Sequence, residues 1–157
     1  MTKILIAELE RLLNSGGAHV GLEDVAKNIP FELLGEKPHG LPYSIWQLVE
    51  HIRIAQWDML EFSRDDQHKS PKWPQEYWPV ESAPKNEEEW ENSLKHISSD
   101  LKSFIKLLGT ADLFEPIPHG SGQNLLREAL QIADHTAYHL AEIVVLRRLL
   151  GIWRTNN

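Results

Sequence analysis

Residues 86–108 read NEEEWENSLKHISSDLKSFIKLL and carry the clearest helical pattern in the chain. Asn86 is a favourable N-cap, and the three glutamates that follow it complement the positive end of a helix dipole. The apolar residues alternate spacings of four and three, as core positions do in helix bundles; they are Trp90, Leu94, Ile97, Leu101, Phe104 and Leu108. The stretch predicts an amphipathic helix from Asn86 to Leu108 that packs against other helices.

Helical periodicity marks three other segments. A first helix is predicted over residues 2–14, where Leu5, Leu9 and Leu12 form an apolar stripe and Gly16-Gly17 ends the helix. A second helix is predicted over residues 44–62. Its start carries the Ser-x-x-Gln capping pattern, and its buried stripe is Ile45, Leu48, Ile52, Ala55, Met59 and Phe62.

The last helix is predicted over residues 124–150, with Gly151 just after its end. Residues 18–43 are rich in proline and glycine and leave room for only a brief helical piece over residues 23–28. Residues 63–86 contain four prolines and three aromatic residues and form a long crossover between the second and third helices. No run of alternating, strand-like residues is present, so we expect an all-α four-helix bundle that forms a single domain over residues 1–157.

Composition excludes several classes of function. The formal net charge of −7 argues against nucleic acid as a partner, because no cationic surface is available to neutralise phosphates. The absence of cysteine excludes disulfides, thiolate nucleophiles and iron–sulfur clusters, and fits a cytoplasmic location. No apolar run approaches the roughly 20 residues of a membrane span, and the N-terminus has no signal-peptide pattern, so we expect no membrane partner and no targeting segment.

Three histidines form a candidate metal site. His135 and His139 are four residues apart on the last helix and lie on its apolar face. His51 lies beside the apolar stripe of the second helix, so imidazoles from two helices can converge. Three neutral imidazoles suit zinc, nickel, copper or iron, and three protein ligands leave a coordination position open, as in catalytic sites. The alternative is that such a histidine pair arises by chance in a chain with eight histidines.

Other assignments of these residues fit less well. The zinc-protease pattern H-E-x-x-H is excluded because Thr136 follows His135. A di-iron bundle needs two inward Glu-x-x-His motifs, and the chain has one, in a proline-flanked loop. Glu142 and Glu128 are candidate proton-handling groups that could hold a ligand histidine or a bound water. We take Glu142 as the candidate catalytic residue.

The remaining histidines and tryptophans have simpler interpretations. His19, His39, His68 and His96 fall in loops or off the apolar stripe and are expected at the surface without a function. Trp46, Trp57 and Trp90 lie in helices and are expected to pack in the core or at an interface. Trp73 and Trp78 lie in the crossover, where they could form the wall of a pocket.

These segments together resemble the DinB-like (DinB/YfiT) superfamily of small metal-binding helical proteins. SIWQLVEHI over residues 44–52 is similar to the family's second-helix segment, and HGSGQNLLREAL over residues 119–130 is similar to its loop into the last helix. DHTAYHLAEIV over residues 134–144 resembles its closing H-x-x-x-H helix. The resemblance covers essentially the whole chain. It implies an up-down bundle with the long crossover between helices 2 and 3, a divalent metal held by His51, His135 and His139, and frequent homodimers.

Several functions stay open, and the first is similar to that of characterised members of this family. The first is a metal-dependent enzyme that either hydrolyses a small-molecule substrate or transfers a low-molecular-weight thiol, which must be exogenous because the chain has no cysteine. Zinc or nickel is the expected metal. The alternatives are a noncatalytic dimeric bundle that binds a metal or a small molecule, and a sensor with an open pocket but no turnover.

Overall fold

The structure is a computed structural model that describes residues 2–15 and 17–153. It has five α-helices: α1 (Thr2–Ser15), α2 (Leu22–Ala26), α3 (Ile45–Arg64), α4 (Glu87–Leu108) and α5 (Leu125–Leu149). The part of the chain that is described contains no β-strand, so the predicted all-α class is confirmed. Gly16, one of the two glycines predicted to end the first helix, lies outside the described residues.

The helices α3, α4 and α5 each begin directly after a residue whose side chain caps them, and Ser44 and Asn86 are the predicted caps. Ser44 and Gln47 form both hydrogen bonds of a capping box at the start of α3. The side chain of Asn86 accepts a hydrogen bond from the Glu89 amide at the start of α4, and Asn124 does the same for α5. The short helix α2 accounts for the helical piece expected within residues 18–43.

The bundle is centred on α3, which packs against both α4 and α5, while α1 packs against α4 and α5 as well. Buried residues form two apolar clusters, one at each end. The first contains the early part of α3 and the late part of α5, for example Ile45, Ile52 and Ile143. The second contains the late part of α3 and the early part of α5, for example Met59 and Ile132. The helices α3 and α5 are therefore antiparallel.

The same two clusters show that α4 runs in the direction of α3. Trp90, near the start of α4, belongs to the first cluster, and Leu108, at its end, belongs to the second. Two consecutive parallel helices require a connection that returns the chain along the bundle, which is the physical reason for the long crossover over residues 65–86.

Two residues of the predicted core lie outside the apolar clusters: Phe62 on α3 is only partly buried, and Leu12 on α1 is exposed. Leu12 is 38% exposed, whereas its neighbour Leu13 packs against the second apolar cluster together with Leu5 and Ile6. Leu5 and Leu9 of the predicted stripe do pack there, so the prediction for α1 is wrong only at its last position. In a short amphipathic helix with two adjacent leucines, periodicity alone does not choose between them.

Among the described residues, no helix is both long enough and apolar enough to cross a membrane.

Candidate metal centre

The three histidines lie at the junction of the two apolar clusters. On α3, His51 is followed by Ile52 of the first cluster and then Ala55 of the second. On α5, His135 and His139 follow Ile132 of the second cluster and precede Ile143 of the first. Because α3 and α5 are antiparallel, these positions face each other. The predicted convergence of imidazoles from two helices is what the structure shows.

The imidazole nitrogens of the three histidines lie close to one another. One ligand nitrogen from each of His51, His135 and His139 can be chosen so that all lie within 4.8 Å of one another. The Nε2 atoms of His51 and His135 are 3.0 Å apart. Two zinc–nitrogen bonds of usual length and tetrahedral angle hold their nitrogens about 3.3 Å apart, so the observed spacing fits one transition-metal ion.

Two of the imidazole rings are oriented by hydrogen bonds to residues that are not members of the histidine group. The Nδ1–H of His51 donates to the backbone carbonyl of Tyr77 over 2.9 Å, and the Nδ1–H of His139 donates to Oε2 of Glu142 over 2.7 Å. A carbonyl and a carboxylate only accept hydrogen bonds, so Nδ1 carries the proton in each ring. The lone pair of each neutral ring is then on Nε2, which is the arrangement of metal-ligating histidines with a carbonyl or carboxylate behind them.

The environment keeps the imidazoles of His51 and His135 uncharged. Burial, with smaller contributions from His139 and His51, lowers the pKa of His135 to about 3. Burial also lowers the pKa of His51, although the Tyr77 carbonyl opposes that effect. At neutral pH both rings are therefore neutral, and each has one nitrogen with a free lone pair.

The donor set fits a divalent transition ion and leaves a coordination position free. Three imidazole nitrogens suit zinc or nickel. Within the described residues, no other histidine or acidic side chain joins these three in a group that could hold a metal ion. With three protein ligands, a fourth position remains for a ligand from outside, as in catalytic rather than structural zinc sites.

Aromatic rings line the approach to the histidines. Trp78 stacks on His51, with ring centroids 3.8 Å apart and planes 6° apart, and its other face stacks on Tyr43. The ring of Trp73 lies 6.3 Å from that of His51. On the α5 side, the ring of Tyr138 lies 5.0 Å from that of His139. Trp73 and Trp78 thus lie beside His51, and the expectation that they form the wall of a pocket stays a prediction.

The crossover is tied to one polar face of α3. Ser44 Oγ donates to the Ser82 carbonyl, and Gln47 Nε2 donates to the Pro79 carbonyl over 3.2 Å. His51 follows with its bond to Tyr77. These bonds fasten the returning chain along α3, and that path places Trp73 and Trp78 beside the histidines.

A buried group of hydrogen-bonded side chains also holds the crossover against α3, and no pattern in the sequence identifies this group. Asp58, two turns after His51, accepts hydrogen bonds from the Tyr77 hydroxyl and from His68 Nε2, the latter over 2.7 Å. Tyr77 thus joins Asp58 to His51 through its hydroxyl and its carbonyl. The expectation that His68 is a surface imidazole was wrong, because its side chain is 8% exposed. No local pattern indicates this pairing, which depends on the path of the crossover.

The two candidate proton-handling residues lie in different places. Glu142 contacts His139 and is partly exposed. Glu128 is buried seven residues before His135. Burial raises its pKa, and the negative charge of Asp58 adds to that rise. Of the two, Glu142 is thus the one bonded to a candidate ligand.

A wide groove of about 1730 Å³ lies between α1, α2, α4 and α5. Its walls include Leu94, Asp134 and Ala137, and the three histidines are not among them. The groove and the histidine site are therefore separate features on different faces of α5.

One of three comparisons with known proteins found a match. A family model described as the DinB superfamily matches residues 19–143, a range that contains all three histidines. A search of curated proteins found no significant match. A search of solved structures also found none. Since the family model covers most of the chain, the chain belongs to the DinB superfamily.

Proposed function

We propose that the protein is a divalent-metal-dependent enzyme whose ion is held by His51, His135 and His139. The observation that carries the proposal is the joint arrangement of these rings. The Nε2 atoms of His51 and His135 lie 3.0 Å apart, and the Nδ1 atoms of His51 and His139 are hydrogen-bonded to other residues. Within the described residues, the group has three members. A purely structural site usually fills all four positions with protein ligands. Zinc or nickel is the metal we expect, since neutral imidazole suits both.

The protein's own groups would orient and assist the reaction. A bound divalent ion would supply Lewis-acid polarisation and lower the pKa of a small ligand in the open position. Glu142 holds His139 in the tautomer that presents Nε2. We assign Glu142 as the candidate general base, since its second carboxylate oxygen, Oε1, can hold or release a proton at the partly exposed rim of the site.

Two reactions use such a site. In the first, the enzyme hydrolyses a small-molecule substrate. In the second, it transfers an exogenous low-molecular-weight thiol to an electrophilic acceptor, since the chain has no cysteine of its own. Both reactions need an open coordination position and a neutral three-imidazole donor set.

The test is a turnover screen on zinc-loaded and nickel-loaded protein. One panel contains chromogenic esters, amides and phosphoesters, and the second contains a small thiol with an electrophilic acceptor. We expect one panel to show activity that a chelator removes and added metal restores. That activity should be lost in His139→Ala and reduced about 100-fold in Glu142→Gln.

The control is His96→Ala, which removes an exposed imidazole on α4. It should keep full activity. Metal uptake without turnover in either panel would favour the noncatalytic alternative, a metal- or small-molecule-binding bundle. We also propose that the protein forms homodimers. Light scattering on the purified protein tests this, since it measures the molar mass in solution.

A further inference from the structure

Two aromatic side chains beside the histidines are unusually exposed. Trp73 exposes 69% of its surface and Tyr138 exposes 66%. The helix tryptophans Trp46 and Trp90 expose only 4% and 7%, as expected for residues that pack in a core. An indole left in water next to a candidate coordination site gains most when a ligand covers it, because burial of its apolar surface is favourable.

The two rings approach the histidines from different elements. Trp73 lies in the crossover, and its ring is 6.3 Å from that of His51 and 5.4 Å from that of Tyr77. Tyr138 lies on α5, and its ring is 5.0 Å from that of His139. The two exposed rings therefore lie beside different members of the histidine group, Trp73 next to His51 on the α3 side and Tyr138 next to His139 on the α5 side.

The position of Trp73 is defined by its surroundings. The segment that carries it is held to α3 by the bonds of Tyr77 to His51 and Asp58. Trp78, a few residues later, is fixed between Tyr43 and His51 by stacking on both faces. Its two ring faces are therefore already covered, whereas Trp73 still has surface to offer. Trp78 is thus held in place on both faces, while the neighbouring Trp73 keeps an exposed aromatic surface.

We propose that the three-histidine site takes a small molecule that has a planar aromatic ring next to its metal-binding group, and that Trp73 and Tyr138 hold this ring. The inference rests on the proposed metal centre and adds the substrate class to it. Offset or edge-to-face contacts with an aromatic ring stabilise the complex beyond simple burial of apolar area. Trp73 and Tyr138 act here as residues that determine specificity.

Three hydroxamates test this proposal on the zinc-loaded protein, since each binds a metal ion through the same group. Acetohydroxamate has no ring, cyclohexanecarbohydroxamate has a saturated ring, and benzohydroxamate has an aromatic ring. Isothermal titration measures each Kd without any need for turnover. We expect benzohydroxamate to bind about tenfold more tightly than acetohydroxamate and several-fold more tightly than the cyclohexane compound.

Variants locate the preference. Trp73→Ala and Tyr138→Ala should each reduce the ratio of the acetohydroxamate Kd to the benzohydroxamate Kd from about ten to within about threefold of unity, while the acetohydroxamate Kd stays unchanged. Tyr138→Phe keeps the ring and should keep the ratio. Phe114→Ala removes another exposed aromatic side chain, in the loop before α5, and should change neither Kd. Both target residues are exposed, so their removal leaves the core intact.

The outcomes separate this proposal from the one it rests on. If all three hydroxamates bind equally, or if the cyclohexane and benzene compounds bind equally, the aromatic preference is refuted while the metal centre stands. If the benzo preference persists in both alanine variants, Trp73 and Tyr138 do not hold the ring. If the wild-type protein takes up no zinc, the metal centre fails and this proposal fails with it.

Discussion

At the scale of single residues, Glu128 shows how a buried carboxyl affects stability. Its side chain is 4% exposed on α5. Burial raises the pKa of Glu128, and the nearby Asp58 carboxylate adds to the rise, while Arg127 opposes it. A carboxyl whose pKa is higher in the folded than in the unfolded chain disfavours the folded state once it is ionised.

We therefore predict that Glu128→Gln stabilises the protein at neutral pH, by about 1 kcal/mol in the free energy of unfolding. The wild type loses stability as the pH rises from its unfolded pKa through the raised folded pKa. The amide variant does not titrate, so the difference between the two should be absent at low pH and constant above the folded pKa. Urea denaturation at a series of pH values measures it.

The matched control is Glu115→Gln, which removes the same charge from an exposed position. It should change the unfolding free energy by less than about 0.5 kcal/mol at every pH. A destabilised Glu128→Gln variant at pH 7 would contradict the interpretation and indicate that the ionised carboxylate makes a favourable interaction.

The sequence predicted the candidate ligand residues, but not the residues that hold them in position. His51, His135 and His139 were found because their positions follow from helical periodicity, and periodicity sets which side chains face the bundle interior. Glu142 was found for the same reason, three residues after His139 on the same helix. Tyr77 and Asp58 were missed because their roles depend on where the crossover meets α3, which no local spacing encodes.

At the scale of elements, the crossover is a structural support of the site. Tyr77 donates its hydroxyl to Asp58 and accepts from His51 at its carbonyl. Burial and the Asp58 hydrogen bond raise the pKa of Tyr77 well above its usual range. The hydroxyl thus stays protonated and donates throughout the neutral range.

We predict that Tyr77→Phe weakens zinc binding about tenfold, although the substitution leaves every candidate ligand in place. The backbone carbonyl remains, but the ring loses the hydroxyl that ties it to Asp58, so the orientation of His51 is less strongly fixed. Competition with a chromogenic zinc chelator measures the Kd.

Tyr43→Phe provides the comparison, since it removes a hydroxyl from a tyrosine that stacks on Trp78 and makes no ring contact with the histidines. Its zinc Kd should equal that of the wild type. Equal Kd values for Tyr77→Phe and the wild type would show that the Asp58 tie does not position His51.

The elements themselves were largely predictable. Capping residues and apolar stripes placed the starts of α3, α4 and α5 within one residue of their observed positions. The parallel orientation of α3 and α4 was not deduced, because periodicity shows that a helix has a buried face but not which way it runs. The length of the crossover was the feature of the sequence that indicated this orientation.

At the scale of the whole molecule, a bound ion would join α3 to α5 and link the two apolar clusters at their junction. An ion that binds the folded chain and not the unfolded chain stabilises it by about 2.7 kcal/mol at a free concentration of 100 times its Kd. We predict that zinc raises the melting temperature of the wild type by about 5–10 °C.

Differential scanning calorimetry with and without zinc measures that shift. His135→Ala should show no shift, since it removes one of three ligands. An equal shift in His135→Ala would mean that zinc stabilises the protein from another place.

The central claim is that His51, His135 and His139 hold one metal ion. The most direct measurement is elemental mass spectrometry on untagged protein, with His51→Ala, His135→Ala and His139→Ala beside the wild type and His96→Ala as the control. We predict about one ion per chain in the wild type and the control, and loss of the ion in all three ligand variants while circular dichroism shows each still helical. Metal retained in the ligand variants, or no metal in the wild type after loading with zinc and with nickel, would contradict the claim.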